Sequence, residues 1–359
     1  MIKTTIYRNN LKNWEFGKKA PQNCDSERAT IADRQGVSEN RNFEEKPTPP
    51  KTNSSGYFGI SLIICSLCIN GIFCNEVIQQ LDEKMQKNDS LLCVGLDPDM
   101  SKMPLSIQEG DLSVEEKVFL FLSHIVEITA PHVCAYKIQK AFFDPLEGGH
   151  TLLKKICVYI HEHYPRTPVF VDCKIGDTDN TMQAYMDNLF GKIGADGVVV
   201  NPYMGDDVFE PFLQDPQKVG IVLIQTSNPK AAAVQELQLA DGNKLWEKIL
   251  YLTLTRWNVN KNLILVLSSN SLTQNYIRIR NLIPQTTPIL LAGIGAQGGN
   301  PQILQHLLNR DRRGVFVNSS RGILYPYQQG DLNWKAEVLR ATLRLKKELN
   351  QIRYGVMSE

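Results

Sequence analysis

Eight short runs rich in Val, Ile and Leu recur between residues 91 and 320, each set off from the next by a longer amphipathic segment. They are LLCVGLD (91–97), VCAYKIQ (133–139), VFVDCKI (169–175), GVVVNP (197–202), GIVLIQTS (220–227), LILVLSS (263–269), PILLAGIG (288–295) and GVFVNSS (314–320). Apolar residues occupy both alternating faces of these runs, so each strand needs cover on both sides. Between them, segments such as SVEEKVFLFLSHIVEI, HTLLKKICVYIHEH, TMQAYMDNLFGKI, NKLWEKILYLTLTRW, SLTQNYIRIRNLI and PQILQHLLNR repeat apolar residues at helical spacing, and NWKAEVLRATLRLKKELNQI closes the chain. Alternating strands and helices imply a parallel sheet with helices over its faces. Eight units predict an α/β fold, a (β/α)8 TIM barrel over residues 76–359 with an N-terminal extension. An open doubly wound sheet is the competing architecture, and the strand count favours closure.

The chain upstream is of a different kind. Residues 1–56 are polar, contain the run EEKPTPPKTNSSG and show no sustained periodicity, so a disordered extension is expected. Residues 57–75 are apolar, and YFGISLIICSLCINGIFC (57–74) carries no charge, over a length close to the lower limit of about 17 residues for crossing a bilayer. A secretory signal would need its charged segment directly at the start. A membrane anchor is weakened by Gly59, Asn70, Gly71 and two serines. Membrane contact through 57–74 is therefore not favoured over a helix packed on the following domain or an upstream extension of an older start.

Lys and Arg total 39 against 38 Asp and Glu, a net charge of +1, so no broad field favours nucleic acid or an anionic membrane surface. Any phosphate recognition must be local. The eight cysteines lie mostly in apolar runs, as expected of reduced, buried thiols in a cytoplasmic setting. Cys65-x-x-Cys68, with Cys74 nearby, lacks a second pair at zinc spacing. His161-Glu-His163 lacks the i, i+4 spacing that puts two imidazoles on one helical face. No metal site is expected, and these histidines read as a solvated helix end.

In such a barrel the active site lies at the carboxyl ends of the strands. Those ends are polar here: Gly95 to Asp99, Lys137 to Lys140, Asp172, Lys174 and Asp177, Asn201, Thr226-Ser227-Asn228, Gly293 to Gly299, and Asn318 to Gly322. Residues i and i+2 of a strand share a face, so Asp172 and Lys174 project side by side. Lys137 of the neighbouring strand completes an alternating row of charge. A purely structural ion-pair network would look the same, yet each buried ion costs on the order of several kcal/mol unless well paired.

GIGAQGGNPQ (293–302) and NSSRGILY (318–325) are the turns after the seventh and eighth strands. Gly293, Gly295, Gly298 and Gly322 let backbone N–H groups approach an anion, and Arg321 can make a bidentate contact. Together they predict a phosphorylated small substrate. The glycine spacing and the late position exclude the dinucleotide fingerprint.

The set CVGLDPD, AYKIQKAFF, VDCKIGDTDNT, VNPYMGDD, LIQTSNP, GIGAQGG and NSSRGI, in this order, resembles the orotidine 5′-phosphate decarboxylase family in its longer bacterial subfamily, over residues 76 to 350. The resemblance implies conversion of orotidine 5′-monophosphate to UMP and CO2 in de novo pyrimidine synthesis, without metal or organic cofactor. It implies that Lys137, Asp172, Lys174 and Asp177 form the charged catalytic constellation, with Lys174 protonating the C6 carbanion. Asp97 would bind the ribose, Thr226, Ser227 and Asn228 would lie near the pyrimidine, and Gln297 and Arg321 would hold the phosphate. A homodimer with shared sites is implied, Asp177 and Thr181 reaching into the partner subunit's site.

The chain departs from the family pattern in places. Ile175 and Thr178 stand where the subfamily often has a basic residue and Ile, and LILVLSSNS (263–271) ends in more polar residues than the usual small-residue turn. The first 75 residues have no counterpart in the pattern. Two other readings compete: a related metal-dependent decarboxylase or aldolase acting on a sugar phosphate through a similar Asp-x-Lys-x-x-Asp motif, and a non-catalytic, membrane-tethered phosphate-binding barrel.

Overall fold

The computed structural model describes residues 75–294 and 299–356. Its strands are β1 (Leu92–Leu96), β2 (Ala135–Gln139), β3 (Val169–Ile175), β4 (Gly197–Val200), β5 (Val219–Leu223), β6 (Leu263–Ser268), β7 (Ile289–Ala292) and β8 (Val315–Ser319). Each pairs in parallel with its sequence neighbour, and β8 closes onto β1 through Leu92–Val317, Cys93–Asn318 and Val94–Ser319. The barrel is therefore closed, and the open sheet is excluded. All eight expected runs form strands. β5 stops at Leu223, so Thr226 to Asn228 ride on the following loop.

The principal helices are α1 (Glu76–Lys87), α2 (Val114–Thr129), α3 (Gly149–His163), α4 (Asp179–Met186), α5 (Glu210–Gln214), α6 (Leu245–Leu252), α7 (Thr273–Leu282), α8 (Arg321–Leu324) and α9 (Trp334–Tyr354). A capping box starts α2: Ser113 Oγ accepts from the Glu116 N–H, and the Glu116 carboxylate accepts from the Ser113 N–H. Its Phe121, Leu122, Ile125 and Val126 are fully buried, as a helix covering one face of a barrel requires. The segments after α4 and α6 widen into π turns, at Asp187–Ile193 and Thr253–Trp257, where continuous α-helix is the simpler expectation. PQILQHLLNR forms only a 3₁₀ turn, Pro301–His306. Asn309 Oδ1 accepts from the N–H groups of Asp311 and Arg313, and this local turn replaces further helix.

Inside the barrel, Phe170 of β3 and Phe316 of β8 meet with ring centroids 5.7 Å apart. They stand two residues before Asp172 and Asn318, so the strand faces that carry the polar rim carry aromatic rings one layer below it. The site thus has a packed base. The four described cysteines, Cys93, Cys134, Cys157 and Cys173, are free. No helix among the described residues is long and apolar enough to cross a membrane. The polar extension 1–56, the apolar segment 57–74 and Cys65, Cys68 and Cys74 lie outside the described residues.

His163 is exposed at the end of α3, as expected, but His161 is not simply solvated. Its Nε2 lies 2.9 Å from Asp196 Oδ2, which also accepts from the Val169 N–H at 2.7 Å. The pair ties α3 to the first residue of β3. The Asp196 hydrogen bond raises the His161 pKa above 6.5, against the opposing effect of burial. Because the folded-state pKa is the raised one, this stabilisation is complete below the unfolded pKa and is lost as pH rises through the folded one. Thermal unfolding of the native chain should therefore show a small loss, below about 1 kcal/mol, as pH rises above about 6.5. His161→Gln should flatten that part of the profile; an unchanged slope in the variant would discount the pair.

Candidate active site

A cavity of about 440 Å³ opens at the carboxyl ends of the strands. Its floor is apolar: Val199, Leu223, Val266 and Leu290 supply one side chain each from β4, β5, β6 and β7. A row of three charges stands on β2 and β3. Lys137 Nζ donates to Asp172 Oδ2 at 3.1 Å, and Lys174 Nζ donates to Asp172 Oδ1 at 2.6 Å. Lys137 and Asp172 are 7% and 8% exposed, whereas the Lys174 side chain is 45% exposed at the mouth.

The register explains Lys137. It pairs with Phe170, a layer below Asp172, and its four-carbon stem carries the ammonium up to the carboxylate. Asp172 and Lys174 do meet, but not on a regular pleat. The β3–β4 register shifts between Val171 and Ile175, and Lys174 sits at φ +45°, in the left-handed region that a Cβ disfavours. Such a conformation costs on the order of 1–3 kcal/mol and persists only where its surroundings enforce it.

Burial pushes the Asp172 carboxyl up, but Lys137 and Lys174 outweigh it and hold the group below the usual carboxylate value. Burial likewise pushes Lys137 down, and Asp172 and Asp97 outweigh it to leave the ammonium above its ordinary value. The buried pair stays charged.

Asp97, just beyond β1, also lines the cavity, and its Oδ1 is buried without a hydrogen-bond partner among the described residues. Across the mouth, Thr226, Ser227 and Asn228 belong to a self-braced turn. Thr226 Oγ1 donates to Asn228 Oδ1 at 2.7 Å, and the Gln235 amide both donates to Thr226 Oγ1 at 2.7 Å and accepts from the Thr226 N–H at 3.0 Å. Gly293 faces this turn at φ +97°, where a Cβ would stand 2.6 Å from Ser227 Cβ and 2.7 Å from Ser269 Oγ. Only glycine fits there.

That contact accounts for the polar end of LILVLSSNS. Ser269 packs against the turn after β7, Ser268 Oγ accepts from the Asn270 N–H, and Tyr276 Oη donates to the Ser268 carbonyl and accepts from the Ser271 N–H. Arg321 and Gly322 close the remaining side. Gln297, Gly295 and Gly298 lie outside the described residues.

Asp177 and Thr181 are not brought to this cavity. Asp177 Oδ1 accepts from the Thr178 N–H at 2.7 Å, and Thr181 is exposed on α4. Of the two departures, Ile175 is buried, and Thr178 stands at the start of α4 without a side-chain cap. Gln139, Asn318 and Ser320 also line the cavity, although nothing in the sequence gave them a role beyond their place at strand ends. The floor residues Val199, Leu223, Val266 and Leu290 lie inside four of the expected apolar runs, and a run that is apolar on both faces does not show which face turns to the cavity. Among the described residues, no three His, Cys, Asp or Glu side chains are grouped to hold a metal ion.

Known proteins resemble this chain in sequence and in fold. The chain is 37% identical to the orotidine 5′-phosphate decarboxylase of Cupriavidus metallidurans over 278 residues, covering 77% of this chain and 98% of that protein. It is 36% identical to that of Dechloromonas aromatica over 277 residues, covering 77% and 99%. The solved structure of Leishmania donovani OMP decarboxylase superimposes with a TM-score of 0.63 at 28% identity, covering 77% of this chain and 98% of that one. The sequence model of the Orotidine 5′-phosphate decarboxylase / HUMPS family matches residues 90–328, from the start of the first strand to beyond Arg321, and the chain belongs to that family.

Proposed function

We propose that Lys174 supplies the proton when this chain decarboxylates orotidine 5′-monophosphate, with Asp172 and Lys137 holding it charged and in place. The reaction is that of a carboxy-lyase of pyrimidine biosynthesis, yielding UMP and CO2. The observation that carries the proposal is the row Lys137–Asp172–Lys174 on one side of a cavity with an apolar floor. When the bond from C6 to the carboxylate breaks, the electron pair stays on C6 with no conjugated sink. An ammonium beside C6 stabilises that charge and then transfers a proton to it, leaving a neutral amine that solvent reprotonates at the open mouth. Asp172 lies where it would face the substrate's own carboxylate, and that repulsion falls as CO2 departs.

The rest of the cavity suits the rest of the substrate. Its apolar floor matches the flat face of a pyrimidine, and the orphan Oδ1 of Asp97 is an acceptor for a ribose hydroxyl. On this reading Arg321, which lines the cavity, grips the phosphate, and Gln297, outside the described residues, is the second phosphate-binding side chain. Binding energy from that remote phosphate is available to the transition state. Asp177, half-buried, and Thr181, exposed, both outside their own chain's cavity, would complete the site of a partner in a homodimer. The free thiols suit a reducing, cytoplasmic setting.

Mixing the protein with orotidine 5′-monophosphate and following the loss of pyrimidine absorbance tests the reading directly. Turnover should persist in strong chelator, and Lys174→Ala should lower it by about 10²–10⁴-fold with the fold intact by circular dichroism. Substantial turnover in that variant would sink the assignment of the acid. Arg321→Ala should raise KM about 10–100-fold, the loss of one charged hydrogen-bonding group; an unaltered KM and unaltered UMP affinity would remove it from the site. Mixing inactive Lys174→Ala with inactive Asp177→Ala chains should restore part of the activity through mixed dimers. No recovery after verified subunit exchange would put Asp177 outside the partner's site.

A further inference from the structure

Asp97 is held in an unusual way. Its Oδ1 is buried with no hydrogen-bond partner among the described residues, so the placement of its carboxylate depends on its backbone. That backbone is clamped by Tyr325, whose Oη donates to the Asp97 carbonyl at 3.1 Å and accepts from the Asp99 N–H at 2.7 Å. Between these two contacts stands Pro98, whose ring fixes φ and has no N–H to offer. One phenol therefore spans the whole Asp-Pro-Asp turn.

Tyr325 ends the same turn of helix that Arg321 begins. Its N–H donates to the Arg321 carbonyl at 3.1 Å, and its ring stacks on Phe121 of α2 at 5.6 Å and 8°. The end of β1 is in close contact with the turn after β8 too: a Cβ on Gly95 would fall 1.9 Å from Ser320 Oγ. Burial raises the Tyr325 pKa, so its hydroxyl remains a neutral donor. The segment carrying the arginine and the turn carrying the aspartate are thus joined by one side chain that does not line the cavity.

We infer that Tyr325 is a positioning residue that couples the anion-binding end of the cavity to Asp97, so that engagement of the phosphate at Arg321 aligns the aspartate against the sugar. The inference rests on the proposed roles of Asp97 and Arg321. It differs from a simple packing role in one measurable way: the contribution of Tyr325 to catalysis should depend on the arginine.

Tyr325→Phe keeps the ring and its stack on Phe121 and removes both hydrogen bonds. It should lower kcat/KM for orotidine 5′-monophosphate about tenfold, and the same substitution in an Arg321→Ala chain should cost less than about threefold. Equal losses in the two backgrounds, or no loss in the native background while Asp97→Ala is strongly impaired, would overturn the coupling. Full activity in Asp97→Ala would instead remove the sugar assignment beneath it. Circular dichroism and thermal unfolding of each variant separate these outcomes from a failure to fold.

Discussion

One carboxylate holds two lysines. Both oxygens of Asp172 are used, Oδ2 by Lys137 and Oδ1 by Lys174, above a barrel interior that is mostly apolar. A lysine buried without a partner tends to lose its proton, because desolvation penalises the ammonium. For Lys137, Asp172 and Asp97 outweigh the effect of burial and hold the ammonium above its ordinary value. For Asp172, the two flanking ammonium groups outweigh burial and hold the carboxyl below its ordinary value. The three charges are mutually dependent, and removing any one would alter the protonation of the others. Proton donation at C6, if it is the task of Lys174, draws on all three.

Such a row needs a rigid support, and the barrel supplies it by layers. Phe170 and Phe316 fill the interior immediately beneath, which fixes the heights of Asp172 and Asn318 above them. The left-handed turn at Lys174 breaks the pleat of β3 after Asp172, and the register with β4 shifts there. That distortion would relax in an isolated strand. It survives because both flanking strands are paired and because the resulting ammonium has a carboxylate to meet.

Much of this was legible in advance, for identifiable reasons. Alternation of apolar runs and amphipathic segments reported all eight strands, because each strand is buried on both faces and must be apolar throughout. Polar residues at their ends marked Asp97, Lys137, Asp172, Lys174, the Thr226–Asn228 turn and Arg321, all of which line one cavity. The left-handed Lys174 was not legible, since reasoning by i and i+2 assumes a regular strand. Neither were the π turns nor the 3₁₀ segment at Pro301, where hydrogen bonds specific to the local sequence override the helical spacing of apolar residues. The Tyr325 clamp was invisible for another reason: nothing in a sequence pattern relates residue 325 to residue 97 until closure makes β8 the neighbour of β1.

Closure therefore does more than remove sheet edges. It brings the first strand of the barrel beside the last, so the turn after β1 and the turn after β8 become adjacent parts of a single rim. The charged row stands on β2 and β3, next along the same rim, and the braced turn after β5 faces it across the apolar floor. A substrate with an ionised pyrimidine at one end and a phosphate at the other can touch both only if the ring of strands is complete. An open sheet with the same eight strands would place β1 and β8 at opposite edges, and the aspartate and the arginine would belong to different surfaces. The geometry that stabilises the fold is thus the geometry that assembles the site.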